Sequence, residues 1–150
     1  LIKQVVDELS HELPELETFV TLSPIPGLNG WLATQSEDSI AARVLAGEAS
    51  DEEVRQVAAS FLVGAKDGQG APRDPVARFH LGNGAQIYAV HANADLSENG
   101  RRQSSGAMVN YHYDLGLIEQ NHESFVQEGH VATAPQFRAS LKKRRQGARA

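Results

Sequence analysis

Apolar residues recur every four positions at the start of the chain: Leu1, Val5, Leu9 and Leu13, with Ile2 and Val6 beside them. That spacing predicts a helix over residues 1–13, stopped by Pro14. The period then shortens. Phe19 to Leu22 is brief, apolar and β-branched, and predicts a buried strand. Ser23 stands where that strand must end, because Pro24 holds it extended and the prolines at 24 and 26 cannot both donate to a sheet ladder. Helical periodicity returns over residues 36–46 and 51–63. The second of these has Ser50 and Glu53 at capping-box spacing and one apolar stripe of Val54, Val57, Ala58, Phe61 and Leu62.

Lys66 to Arg73, rich in Gly, Asp and Pro, reads as a loop. Asp74 as N-cap and Pro75 at the first helical position open a short helix, which Gly82-Asn83-Gly84 ends, with His80 in its last turn. Gln86–Ala92 and Ala107–Tyr113 predict two strands joined by a polar stretch, Asn93 to Gly106. In the second strand the alternation puts Val109, Tyr111 and Tyr113 on one face and Met108, Asn110 and His112 on the other. Helices over Leu117–Glu128 and Pro135–Arg145 complete the pattern. The basic run Lys142-Lys143-Arg144-Arg145 reads as a solvated helix end that complements the helix dipole.

Composition narrows the function classes. At 150 residues, 41% hydrophobic and 22% charged, the chain is long enough to bury a core in one ordinary domain. A net charge of −5 speaks against general affinity for nucleic acid or acidic membranes. With no cysteine there is no disulfide, cysteine nucleophile or thiolate metal site, which fits a reducing compartment. No apolar run approaches the roughly 20 residues of a membrane-spanning helix. The chain opens on Leu1 rather than methionine, and is expected to begin inside a longer protein.

Two segments hold the candidate chemistry: Thr21-Leu22-Ser23-Pro24-Ile25-Pro26-Gly27 and Asp74 to Ala85. Taken singly, Ser23 reads as a turn residue and His80 as a polar group at a helix end. Taken together, a hydroxyl and an imidazole that meet in space can orient and protonate a reacting carbonyl compound. Ser23 is not in a Gly-x-Ser-x-Gly elbow, so a hydrolase of that type is not indicated. No His-Glu-x-x-His or similar cluster points to a metal. Gly82-Asn83-Gly84 lacks the further glycines of a phosphate loop and follows a helix, not a strand.

The order of these segments closely resembles the malonyl-CoA decarboxylase family. Leu22-Ser23-Pro24-Ile25-Pro26-Gly27 is similar to its serine motif. Pro75-Val76-Ala77-Arg78-Phe79-His80-Leu81-Gly82-Asn83-Gly84-Ala85 is similar to its histidine motif. Met108-Val109-Asn110-Tyr111-His112-Tyr113 resembles its late Asn-Tyr-x-Tyr strand, and Ser104 with Gly106 the small-residue segment before it. Tyr88 to Asn93 departs from the family, whose members often have an Arg-Ile-Asn-Trp type sequence there.

The resemblance implies an α/β (α+β) catalytic domain of acetyltransferase-like (GNAT-like) fold, a mixed sheet flanked by helices and incomplete at its N-terminus. Residues 1–150 would be the C-terminal portion of that domain, with the family's N-terminal helical domain and CoA-pyrophosphate loop absent from this chain. It implies decarboxylation of malonyl-CoA to acetyl-CoA and CO2 through a Ser23–His80 pair. Tyr113 would be either a phenolic donor beside that pair or a core tyrosine, and Asn110 is a weaker candidate. No cofactor or metal is implied, because the thioester is itself the electron sink. Malonyl-CoA would be the substrate, with no nucleic-acid or membrane partner, and the full-length protein would be a homo-oligomer. A bacterial cytoplasm is the expected compartment, or a mitochondrion or peroxisome in a eukaryote. Two alternatives stay open at this level: an acyl-CoA-dependent acetyltransferase of the same fold, and a non-catalytic CoA-binding fragment.

Overall fold

The structure, a computed structural model, describes residues 4, 7, 8, 11, 12, 18–35, 37–139 and 141. In chain order its elements are β1 (Thr18–Pro24), α1 (Leu28–Leu32), α2 (Ser39–Ala46), α3 (Asp51–Gly64), α4 (Pro75–Gly82), β2 (Gln86–His91), α5 (Glu98–Ser104), β3 (Met108–Asp114) and α6 (Ile118–Glu128). Of the expected first helix, residues 4, 7, 8, 11 and 12 are helical and exposed, while the apolar stripe and Pro14 lie outside the described residues. Residues 135–139 and 141 are helical; the other residues of that expected helix, with the basic run, also lie outside.

The sheet has the order β1-β3-β2, both pairs antiparallel. Its register follows from the alternation. Phe19, Thr21 and Ser23 of β1 stand opposite Tyr113, Tyr111 and Val109 of β3, and Ile87 and Val90 of β2 stand opposite Tyr111 and Val109. These residues share the inner face, and a slip of one position would turn them all outward. Tyr88 is the extra residue of a bulge between Ile87 and Ala89. The free side of β2 is partly covered: Ile87 forms a parallel bridge with Thr133, donating to the Ala132 carbonyl (2.9 Å) and accepting from the Ala134 amide (2.8 Å). That parallel bridge is isolated and lies outside the three described strands, which pair antiparallel.

The inner face is covered by α3 and α4, whose Val57, Ala58, Phe61, Leu62, Ala77 and Leu81 join Ile25, Leu28, Ile87, Val109 and Tyr111 in one buried cluster. α3 begins as its sequence predicts. Ser50 Oγ accepts from the Glu53 amide and the Glu53 carboxylate accepts from the Ser50 amide, each at 3.1 Å. Such a cap contributes roughly 1 kcal/mol.

Several expectations need correction. The strand expected to be buried over Phe19–Leu22 has Val20 and Leu22 exposed on its outer side. The helix predicted over 36–46 starts at Ser39, because Asp38 caps it through the amides of Ile40 and Ala41. β1 extends to Pro24, so Ser23 is its penultimate residue rather than its end, and β2 stops at His91. The stretch 93–106 is not a plain connection, because it contains α5. α5 has no apolar stripe and packs through small residues instead: a Cβ on Gly100 would come within 2.2 Å of the Asp95 carboxylate carbon. The buried Ser104 hydroxyl lies 3.0 Å from the Gly100 carbonyl and 3.1 Å from that of Ala107. α1, five residues long and without a side-chain cap, also gave no periodic signal of its own.

Candidate active site

β1, α4 and β3 each bring one polar side chain to the same buried point. Ser23 is directed inward because the β1 alternation puts Leu22 and Pro24 on the other side. His80 is delivered by α4, whose start is fixed by the Asp74 cap and Pro75 and whose end is fixed by Gly84. Gly84 has φ +90°, and a Cβ there would come within 2.4 Å of the Ile118 carbonyl oxygen, so only glycine lets α6 close on the end of α4. The His80 carbonyl accepts from the amides of Asn83 and Ala85, both at 3.1 Å, which anchors the last turn. Tyr113 comes from β3, two positions along the same face from Tyr111.

The three groups form a continuous chain of contacts. Ser23 Oγ lies 3.1 Å from His80 Nε2, and Tyr113 Oη lies 2.6 Å from His80 Nδ1. The His80 ring stacks on Tyr111, with centroids 4.4 Å apart and planes 18° apart, and meets Phe79 edge-on at 5.3 Å. Thr21 Oγ1 is 3.4 Å from Ser23 Oγ. Both imidazole nitrogens are thus occupied by hydroxyls, and the ring is held by packing.

Burial sets the protonation states. It lowers the His80 pKa to about 4, so the ring is neutral at pH 7 and has one N–H. Burial also pushes the Tyr113 phenol up, and does the same to Tyr111, with the nearby Asp74 carboxylate and Tyr113 adding to the effect there. Asp74 is buried too, and desolvation raises its pKa despite amide donors from Ala77, Gly27 and Val76. The Tyr111 hydroxyl is a buried polar group without a partner among the described residues.

Ser23, His80 and Tyr113 therefore stand together. Asn110 does not join them: it faces the other side of the sheet, where its amide donates to the Thr21 carbonyl (3.1 Å) and its oxygen meets His91. His112 shares that outer face with Gln86 and Tyr88. His122 Nδ1 is 2.6 Å from the Gly82 carbonyl, a contact between α6 and the end of α4. Among the described residues no group of three or more His, Cys, Asp or Glu side chains is placed to hold a metal ion. Sequence patterning did not single out Thr21, Tyr111 or the second bond of Asp74. For Tyr111 the signal was present, since alternation puts it on the same face as Tyr113.

The comparisons with known proteins agree with one another. The model of the malonyl-CoA decarboxylase C-terminal domain family matches residues 1–54 and 42–150. The mitochondrial malonyl-CoA decarboxylase of Rattus norvegicus is 33% identical over 175 residues, covering 91% of this chain and 35% of the relative. That of Anser anser anser is 29% identical over 174 residues, with 91% and 34% covered. The chain thus spans about a third of the length of these curated relatives. Among solved structures, malonyl-CoA decarboxylase from Rhodopseudomonas palustris superposes with a TM-score of 0.83 at 43% identity, covering 93% of this chain and 37% of that one. The enzyme from Cupriavidus metallidurans gives 0.81 at 34% identity, covering 93% and 42%.

Proposed function

The chain belongs to the malonyl-CoA decarboxylase family, and from that premise we propose that the protein containing it converts malonyl-CoA to acetyl-CoA and CO2 at Ser23, His80 and Tyr113. The observation that supports this most strongly is the buried Ser23–His80–Tyr113 chain, closed at 3.1 and 2.6 Å within the family's serine and histidine motifs.

In this reaction the bond between the carboxylate carbon and the α-carbon breaks. Its electron pair enters the thioester as an enolate, CO2 leaves, and the α-carbon takes up one proton. Ser23, fixed on a strand that Pro24 keeps extended, donates a hydrogen bond to the substrate rather than attacking it. Preorganised donors of this kind are worth ~10²–10³ in rate at a developing oxyanion.

His80 is neutral near pH 7, so it conducts a proton rather than storing one. In the tautomer that serves donation, Tyr113 O–H donates to Nδ1 and Nε2–H donates to Ser23 Oγ, leaving the serine proton free for the substrate. Moving each proton one step along the chain protonates the α-carbon and leaves the charge on Tyr113; once the product has left, a solvent proton taken up at Ser23 and passed back through both ring nitrogens restores the phenol and the starting tautomer. An enolate carbon is a far stronger base than a phenolate, so the transfer runs forward even though burial raises the Tyr113 pKa.

The test is CO2 release from malonyl-CoA by the complete protein with Ser23→Ala and His80→Ala made separately. The His80 variant is expected to lose ~10²–10⁴ in kcat, the usual range for a general acid–base group, while CoA binding persists. Unchanged turnover in either variant would reject that residue's role.

A further inference from the structure

Asp74 touches both motifs of the site with one carboxylate. It is 1% exposed. Its Oδ2 accepts the amide of Ala77 at 3.0 Å, the ordinary bond of an N-cap residue. Its Oδ1 accepts the amide of Gly27 at 3.1 Å, four residues beyond Ser23 on the far side of both prolines. Capping α4 does not require that second bond. A serine would start the helix with no buried charge, whereas burying a carboxylate carries a desolvation cost that only its donors offset.

The approach at Gly27 is fitted to this contact: a Cβ there would lie 3.1 Å from the Phe61 ring and 3.4 Å from Asp74 Oδ1. The two anchored amides are also stiffly connected to the reacting groups. Pro24 and Pro26 remove two of the free backbone angles between Ser23 and Gly27. Ala77 lies less than one helical turn before His80 on α4.

We propose that Asp74 is a positioning residue for this site, its carboxylate clamping the Ser23 turn to the His80 helix and so setting the hydroxyl–imidazole separation. The consequence for rate rests on the decarboxylase reading above; the clamp itself does not.

Two variants of the complete protein separate the clamp from the cap. Asp74→Ser keeps a cap oxygen for Ala77 and cannot reach Gly27. Asp74→Asn keeps the shape but turns an NH2 toward one of the two amides. Each is expected to lower kcat for CO2 release about 10- to 100-fold while KM changes less than about threefold, as for a misplacement of reacting groups. Each is also expected to shift the ¹⁵N resonances of the His80 ring. Wild-type kcat in Asp74→Ser, a loss confined to KM, or unfolding of both variants by circular dichroism overturns the proposal. If the wild-type protein releases no CO2, the reading of the reaction fails by itself and the ring resonances decide: shifted signals in a folded Asp74→Ser protein support the clamp, and unchanged signals refute it.

Discussion

β3 offers Val109, Tyr111 and Tyr113 to one side of the sheet and Met108, Asn110 and His112 to the other, and the two sides surround similar side chains very differently. On the inner side a histidine meets a serine and a tyrosine, all three buried. On the outer side His112 meets Gln86 and Tyr88, and His91 meets Asn110, beside Val20 and Leu22, which are 57% and 54% exposed. Residue types alone would not separate these two sets. Desolvation does: on the inner face burial lowers the His80 pKa to about 4 and pushes both phenols up.

This contrast can be broken most directly at the two histidines. The ~10²–10⁴-fold loss expected for His80→Ala should have no counterpart in His112→Ala, which is expected to keep CO2 release within about twofold of wild type on general grounds for residues away from a site. A comparable loss at His112 would end the distinction between the faces. Tyr113→Phe removes the hydroxyl on His80 Nδ1 and keeps the ring. It takes away the proton that the relay passes to Nδ1, and is expected to lower kcat ~10²-fold or more, within the range for a general acid–base group.

Next comes pH. With the folded pKa of His80 at about 4, below its ordinary value of 6.5, the acid limb of kcat/KM should centre near 4. The unfolded chain then binds the extra proton first, so this ring's contribution to stability is complete above 6.5 and is lost as pH falls from there toward 4. An acid limb centred at 6.5 would mean that the ring is not desolvated in the working enzyme. The smallest effect is Tyr111→Phe. It deletes a buried hydroxyl that has no partner among the described residues, and is expected to raise stability by up to about 1 kcal/mol in thermal unfolding.

Local signals in the sequence located much of this site. The strand period put Tyr111 and Tyr113 on one face, and Asp74-Pro75 with Gly82-Asn83-Gly84 bounded the helix of His80. Pro24 marked the extended Ser23. Each of these is a propensity acting over a few residues. What the pattern did not reveal is non-local or lacks apolar residues. The Asp74–Gly27 bond joins positions 47 apart in sequence, and α5 packs through Gly100 and Ser104, which carry no hydrophobic signature. Asn110, the weaker candidate, falls by alternation on the face opposite Tyr111 and Tyr113, and the structure leaves it there.

Chain order adds a consequence for synthesis. β1 and β2 do not pair with each other; both pair with β3, which leaves the ribosome last. β1 and β2, which flank the helix of His80 in sequence, therefore share no sheet until Met108 to Asp114 has emerged and inserted between them. Until then the nascent polypeptide exposes two unsatisfied strand edges, a state open to mispairing and to chaperone capture. A translation pause before Met108 to Asp114 has left the exit tunnel would lengthen that vulnerable interval, whereas a pause after its emergence would find the sheet able to close.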